Sequence, residues 1–449
     1  MQKDMTAEPV TLGAMAALSA PAVPMFALMM PLVIFVPPYF AEHMGLGLAA
    51  VGTIFTLGRL FDVVTDPFAG IVMDRTRQRV PKRLWVVAGA MPLALATWQI
   101  FFVSPPVQAG TLMAWLIVLY AGWTLMSVGL YSWASEVSSD YHERSRVMGA
   151  VQMANSTGTI LVLLIPAAVE AFASPADVDT LRIRAMGAAI LLMLPVSLLV
   201  AWLYAPRAAH GTPVAEPLLP ALKQALHNAS LRRLIGADFA IGLNIGVFTA
   251  LSVFFSEIVL GLEGRAGTLQ LVLLSASLAG LPVFVRLAGR LEKHNALALT
   301  ALVTIAGGLA ACVLPAGSFA LALACYVLFG IASGAAQMLP RAIMADVLDE
   351  ASLATGTDST GLYFSFLTTT LKLGLGLGVG LTYALAELGG FDPATARSDA
   401  SAHWVIRAML GGIPMLLGLL TISLMWRFPL GRSRHDRVRE ALGRAGDSG

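Results

Sequence analysis

The sequence predicts an all-α membrane protein with twelve transmembrane helices in two six-helix halves. The first observation is composition: of 449 residues, 57% are hydrophobic and only 12% are charged, and the mean hydropathy is +0.76. A soluble domain devotes about 25% of its residues to charge, so this chain has too few to coat a water-facing surface. The second observation is the recurrence of long apolar segments. The third is a bias of basic residues towards alternate loops.

The twelve helices follow from the apolar segments, because a membrane-crossing helix needs about 20 mostly apolar residues. Ten helices lie in stretches that contain no acidic residue, lysine or arginine. Single helices are predicted in 9–41, 147–169, 185–206, 239–256, 266–285 and 408–426, and two each in 84–135 and 294–340. Two further apolar segments, about 48–73 and about 359–388, are interrupted by charged residues and complete the twelve.

Basic residues predict the orientation of these helices. When successive loops are assigned to alternate sides, 22 of the 29 lysines and arginines fall on one side and five on the other. Basic residues collect on the cytoplasmic side, so both chain ends are expected there. The polar stretch 205–234 predicts a cytoplasmic linker between the halves 1–204 and 235–427, and 428–449 predicts a basic cytoplasmic tail. The first residues lack the basic region and cleavage site of a secretory signal, so the first helix is expected to be retained.

The composition also excludes several classes of function. A net charge of +2 provides no strongly basic face for nucleic acid. The only cysteines, Cys312 and Cys325, are too few for a disulfide framework or a thiolate metal site. The seven histidines show no metal-ligand spacing. We therefore expect neither an enzyme nor a cofactor-binding protein.

Four ionisable residues interrupt the predicted spans: Arg59, Asp62, Asp66 and Lys372. A charged side chain at the centre of such a helix costs about 2.5–3.5 kcal/mol, so these residues indicate an ion or substrate path. Asp62 and Asp66 are four residues apart and share a helix face, with Thr65 on the same side. Two carboxylates and a hydroxyl offer hard oxygen ligands, which predict a site for a cation such as Na⁺, Li⁺ or H⁺.

A structural ion pair between Arg59 and Asp62 is the alternative, since these residues are three apart on one helix. That pair leaves Asp66 and Lys372 unexplained. The four charges sum to zero, which predicts a coupling role for Lys372 and Arg59. In this hypothesis Lys372 neutralises the carboxylates when the site is empty, and a bound cation displaces it.

Five segments along the chain carry a recognisable pattern. They read GRLFDVVTDP at 58–67, DYHERSR at 140–146, ADVLD at 345–349, GLYF at 361–364 and LKL at 371–373. Together they resemble the glycoside-pentoside-hexuronide:cation symporters, a family of the major facilitator superfamily. The resemblance extends from about residue 39 to about residue 390, in the family's order and at its spacing.

The resemblance implies a twelve-helix transporter with the major facilitator fold, in which a cation and a solute move together by alternating access. It implies that Asp62, Thr65 and Asp66 bind the cation, and it adds Thr124 on the fourth helix. Thr124 has the alternative of bonding its own helix backbone, as threonines in membrane helices often do. Lys372 matches a lysine that the family places beside the acids.

The implied solute site departs from the pattern of a sugar-carrying member of that family. Where such a member has charged and aromatic residues, this chain has Phe26, Ser127, Tyr131, Gln152 and Gln337. Tyr131 stands where such a member has a stacking tryptophan, and it keeps an aromatic ring there. We therefore expect a solute that is sugar-like or more apolar. The alternative for each of these residues is packing between helices or against lipid.

The resemblance also implies a cytoplasmic latch, a set of contacts between charged loop residues that form and break during transport. Its residues are Asp74, Arg75, Arg79, Asp140, Arg144 and Asp346. Orientation by basic residues alone is the alternative.

Four glycines at 374, 376, 378 and 380 predict a close, mobile helix contact, since small residues let helix backbones approach. Only the pairs four residues apart, such as 374 with 378 and 376 with 380, share a helix face. Asp238 lies five residues past Arg233, so it is expected to reach back to the cytoplasmic interface.

Three functions remain open from the sequence. The leading one is cation-coupled symport of a small organic solute, with Na⁺ or H⁺ as coupling ion. The others are a proton-coupled exporter and a non-transporting membrane sensor built on a transporter scaffold. The expected partners are the solute, the coupling cation and membrane lipid, with no nucleic acid. We expect a monomer in the bacterial cytoplasmic (inner) membrane.

Overall fold

The computed structural model describes residues 10–76, 79–137, 141–172, 178–206, 228–355, 360–393, 395–396, 400–431, 434 and 437. Within these residues, twelve helices are long and apolar enough to cross a membrane. They include the two segments that charged residues interrupt. The predicted all-α fold with twelve membrane-crossing helices is therefore confirmed.

The chain divides into two compact units: Met1–Leu46 with Leu60–Val214, and Gly47–Arg59 with Ala215–Gly449. The boundary passes through one helix, whose first part groups with the second unit. The first unit contains α1 (Leu12–Ser19), α2 (Ala22–Met30), α3 (Val36–His43), the greater part of α4 (Leu48–Arg75), α5 (Lys82–Phe101), α6 (Ala109–Glu136), α7 (Tyr141–Phe172) and α8 (Val178–Tyr204).

The first membrane-crossing segment, Ala22–His43, is not a uniform α-helix. A π-helical turn, Pro31–Phe35, joins α2 to α3. Proline has no backbone N–H, and its ring collides with the carbonyl four residues earlier, so it disturbs the regular hydrogen-bond ladder. Pro31 opens the π-helical turn, in which Val36 donates to the carbonyl of Pro31 five residues earlier.

The second unit contains the remaining helices together with the first part of α4. They are α9 (Ala229–Phe254) with a π-helical continuation (Phe255–Val259), α10 (Ala266–Leu291), α11 (Lys293–Val313), α12 (Phe319–Thr355), α13 (Thr360–Leu388) and α14 (Ala400–Met425). Helix α12 has 37 residues and extends well beyond the charge-free segment that predicted it. Polar residues do not end a helix, because each backbone group keeps its partner inside the helix.

Close backbone approach holds α9 against α13 in the second unit. A methyl group added to Gly242 would lie 2.7 Å from the Leu371 carbonyl oxygen, and one added to Gly246 would lie 2.5 Å from that of Leu375. Gly374 and Gly378 face these two glycines from α13. Small residues let helices approach closely enough for extensive van der Waals contact.

The other two glycines of α13 face the first part of α4. A methyl group on Gly376 would lie 2.8 Å from the Cβ of Arg59, and Gly380 is crowded by the hydroxyl of Thr56. The Thr56 hydroxyl donates a hydrogen bond of 2.9 Å to the Gly376 carbonyl. The predicted close helix contact is therefore confirmed for both pairs of glycines, and the two pairs face different helices.

The tight seam between α9 and α13 predicts a difference between two alanine substitutions. Gly246→Ala should lower the melting temperature, because its methyl group collides with backbone that cannot move aside. Gly412→Ala in α14 meets no atom within 4 Å, and alanine favours a helix over glycine by about 1 kcal/mol. It should therefore leave the melting temperature unchanged or raise it. Thermal unfolding of the purified proteins in detergent checks this, and equal effects of the two substitutions would contradict the described packing.

Candidate cation and solute site

Two acids on α4 occupy neighbouring turns within the first unit. Asp62 is fully buried, with 0% of its surface exposed, and Asp66 is half-buried. Their four-residue spacing places both carboxylates on one face of the helix. The hydroxyl of Thr65 donates to the backbone carbonyl of Asp62 at 3.2 Å. Thr65 thus lies in the same turn, with its hydroxyl bonded to the helix itself.

Thr124 on α6 connects the two acids. Its hydroxyl lies 3.2 Å from Oδ1 of Asp62 and 2.8 Å from Oδ1 of Asp66. Thr124 is 2% exposed, so the hydroxyl at the centre of this cluster is buried, whereas Asp66 is half-buried. The structure therefore brings Asp62, Asp66 and Thr124 together from two helices.

The chemistry of this cluster favours a positive guest. A hydroxyl has one hydrogen and cannot donate fully to two carboxylates at once. Two carboxylates held beside one hydroxyl also repel each other when both are ionised, and burial strengthens that repulsion. A proton or a hard cation relieves it, and carboxylate and hydroxyl oxygens are the ligands that hard cations prefer.

An aromatic pair adjoins these residues. Phe26 on α2 and Trp123 on α6 meet edge to face, with ring centroids 5.4 Å apart and ring planes at 64°. Trp123 directly precedes Thr124 in the chain. The structure therefore places predicted Phe26 against the residue that precedes Thr124, and the sequence reasoning missed that residue, Trp123. A tryptophan in an apolar span carries no signal that separates a site residue from a packing residue.

Three polar side chains meet between α6 and α7. The side-chain amide of Asn155 donates to the Tyr131 hydroxyl at 3.2 Å and lies 3.5 Å from Oε1 of Gln152. Asn155 is 3% exposed, whereas Tyr131 is 38% exposed and Gln152 is exposed. The structure thus joins predicted Tyr131 and Gln152 through a buried amide. Ser127 lies one turn from Tyr131 on α6 and donates to the Thr124 carbonyl at 3.2 Å.

Asn155 is the second residue that the sequence reasoning missed. A signal was present, because an amide three residues after Gln152 in an apolar span shares its helix face. The Oδ1 atom of Asn155 is buried and has no hydrogen-bond partner among the described residues. A buried polar atom without a partner destabilises a structure by about 1–3 kcal/mol, so its persistence favours a functional role.

Three predicted site residues belong to the second unit. Arg59 is 8% exposed and lies in the first part of α4. Lys372 on α13 is half-buried, and Gln337 on α12 is exposed. The Gln337 carbonyl accepts a hydrogen bond from Arg341 one turn later.

The predicted latch residues are described in part. Asp346 on α12 forms an ion pair with Lys293, with 2.6 Å between Oδ1 and Nζ. Arg75 and Arg79 are exposed. Asp140 lies outside the described residues, as do the side chains of Asp74 and Arg144.

Comparison with known proteins identifies the family. Residues 17–432 match the family described as MFS/sugar transport protein. The chain belongs to this family. It is therefore a multi-pass membrane transporter of the major facilitator superfamily and not an enzyme, and the resemblance read from its motifs is confirmed.

Two relatives in this family align over most of their length. An uncharacterized symporter from Synechocystis sp. is 24% identical, over 92% of this chain and 93% of the relative. A glucuronide carrier protein homolog from Escherichia coli is 25% identical, over 88% of each. The crystal structure of the nucleoside transporter NupG superposes with a TM-score of 0.68 at 11% identity, over 92% of this chain and 99% of that one. The major facilitator fold is therefore confirmed.

The double contact of Thr124 predicts a specific effect on stability. Thr124→Val keeps the shape of the side chain but removes the hydroxyl, so two neighbouring acids lose a hydrogen-bonding partner. We expect a loss of about 1–3 kcal/mol in the free energy of unfolding, which Thr124→Ser should largely restore.

Thr97 on α5 is the matched control. It is equally buried, and its hydroxyl donates to its own helix at Leu93, at 2.7 Å. Thr97→Val should therefore be close to neutral. Denaturant or thermal unfolding checks the order, and a loss in Thr97→Val as large as in Thr124→Val would contradict the special role of Thr124.

Proposed function

We propose that this protein is a secondary active transporter that couples entry of Na⁺ or H⁺ to uptake of a small organic solute by alternating access. One observation carries the proposal: a buried hydroxyl on α6 contacts two carboxylates on α4. This arrangement provides a membrane-embedded site that gains most from a positive guest. A transporter with such a site can use the movement of that guest to drive a solute.

The assignment of the site residues supports the proposal in detail. Asp62, Asp66 and Thr124 supply the oxygen ligands, and Thr65 supports the turn between the acids. Lys372 and Arg59 keep the coupling role that the sequence predicts for them. The ion pair of Asp346 with Lys293 is the described part of a cytoplasmic latch.

The proposed solute is a glycoside-like molecule with a polar and an apolar part. Tyr131, Gln152 and Asn155 offer hydroxyl and amide groups, while Phe26 and Trp123 offer aromatic surface. Binding sites for small molecules commonly combine apolar walls with a few placed polar groups. The family description refers to sugar transport, and the Escherichia coli relative is named as a glucuronide carrier homolog. We therefore propose uptake of a glycoside or glucuronide with an apolar substituent across the bacterial cytoplasmic membrane.

Cation binding at the two acids predicts a stabilisation that needs no knowledge of the solute. A ligand that binds only the folded state raises the melting temperature. Sodium chloride should raise the melting temperature of the wild type more than choline chloride at the same ionic strength. If H⁺ is the coupling ion, lowering the pH should have this effect instead. Asp62→Asn and Asp66→Asn should each abolish the response.

Glu263→Gln is the control for this experiment, because Glu263 is an exposed acid in the loop between α9 and α10. It should respond to sodium or protons as the wild type does. If both aspartate variants keep the dependence on sodium and on pH, the acids do not form the cation site.

The direction of coupling is the second prediction of the proposed function. Proteoliposomes that contain the protein should accumulate a nitrophenyl glucuronide when an inward sodium or proton gradient is imposed. Collapse of the gradient with an ionophore should abolish accumulation but leave exchange across the membrane. Accumulation driven by an outward gradient would indicate an exporter, and no movement under either gradient would contradict transport of this solute class.

A further inference from the structure

A third acid lies deep in the second unit, away from the proposed cation site. Asp238 on α9 is 2% exposed, and its neighbours Leu234, Ala237 and Ile241 belong to a buried apolar cluster. The expectation that Asp238 reaches back to the cytoplasmic interface is therefore wrong. Spacing from Arg233 placed it near the interface, but the sequence does not show that α13 covers this face of α9.

The partner of this acid is a single hydroxyl. Thr370 on α13 lies 2.9 Å from Oδ2 of Asp238. The same hydroxyl lies 2.8 Å from the Phe366 carbonyl oxygen, one turn earlier in its own helix. A hydroxyl has one hydrogen and two lone pairs, so it can donate to one of these oxygens and accept a hydrogen from the other.

Asp238 has no ion-pair partner among the residues that the structure describes. Arg341 on α12 attracts its carboxylate electrostatically from outside ion-pair distance. A buried carboxylate with one neutral hydrogen bond and no paired cation is strongly disfavoured, and such groups usually become neutral by taking up a proton.

The acid and the hydroxyl also terminate a regular series of contacts. Residues 238, 242 and 246 on α9 face residues 370, 374 and 378 on α13, each set at intervals of four. The two inner contacts are glycine on glycine, where the backbones touch. The Asp238–Thr370 hydrogen bond is the one polar contact among these three. In the predicted orientation of the helices, it lies at the cytoplasmic end of the series.

We propose that Asp238 and Thr370 form a proton-binding site of the second unit. In the occupied state the proton is on Oδ2 of Asp238 and is donated to the Thr370 hydroxyl. The hydrogen of Thr370 is then donated to the Phe366 carbonyl. When the proton leaves, the Thr370 hydroxyl turns to donate to the carboxylate, and a full negative charge remains at the end of the α9–α13 seam.

Proton occupancy therefore controls the strength of this helix contact. A neutral acid is compatible with the dry, close seam, whereas an ionised acid draws water towards it. The site uses neither Asp62 nor Asp66, so it holds a proton whether the coupling ion is Na⁺ or H⁺.

Infrared spectroscopy of the full-length protein in lipid at neutral pH tests the proposal directly. The carbonyl stretch of a protonated carboxylic acid is separate from the bands of carboxylates, and it shifts in deuterated water. The wild type minus Asp238→Asn difference spectrum should contain one such band. Thr370→Val should shift the frequency of that band without removing it, because the acid loses its hydrogen-bond acceptor.

Asp346→Asn is the spectroscopic control, since Asp346 is paired with Lys293 and should contribute only carboxylate bands. Asparagine also mimics the neutral acid, so Asp238→Asn should keep the melting temperature of the wild type. A difference spectrum for Asp238→Asn that shows carboxylate bands alone would overturn the proposal. A melting temperature well below that of the wild type would also overturn it, because the structure would then depend on the ionised form. If Asp238→Asn does not fold, Thr370→Val alone tests the proposal. A protonated-acid band that keeps its wild-type frequency in Thr370→Val would overturn the proposal.

Discussion

The contact of one buried hydroxyl with two carboxylates is the interaction on which the proposed chemistry of this protein depends. Charged groups within the hydrocarbon are tolerated only where other groups compensate them. Thr124 on α6 contacts Asp62 and Asp66 on α4, so two carboxylates and a hydroxyl meet in one cluster. Hard cations prefer oxygen ligands of this kind, which is why the proposed site responds to a cation.

Much of this arrangement could be predicted from the sequence, because it follows from local periodicity. Apolar length gives the twelve helices, including the two that contain charged residues. A four-residue interval places Asp62 and Asp66 on one face, and the same interval separates the glycines of α13 into two contact faces. These features belong to single helices, so they need no knowledge of which helix lies opposite.

The features that the sequence did not provide are those that join two helices. Thr124 was expected only from the family resemblance, because a threonine in an apolar helix has no signal for a partner elsewhere. Asn155 shares a helix face with Gln152, but its contact with Tyr131 of the neighbouring helix cannot be read from the sequence. Asp238 was expected at the interface because the sequence shows how far it lies from Arg233. The sequence does not show which helix buries Asp238.

The seam between α9 and α13 has a consequence for how these helices keep their register. Glycine contacts repeat every four residues, so a slip of one helix by about 6 Å would place glycine opposite glycine again. Backbone packing alone therefore distinguishes weakly between neighbouring alignments. A single polar bond between Asp238 and Thr370 makes one alignment different from the others, as a lone buried asparagine does in a coiled coil. Asp238 and Thr370, which fix the alignment of α9 with α13, are thus also the two residues of the proposed proton site.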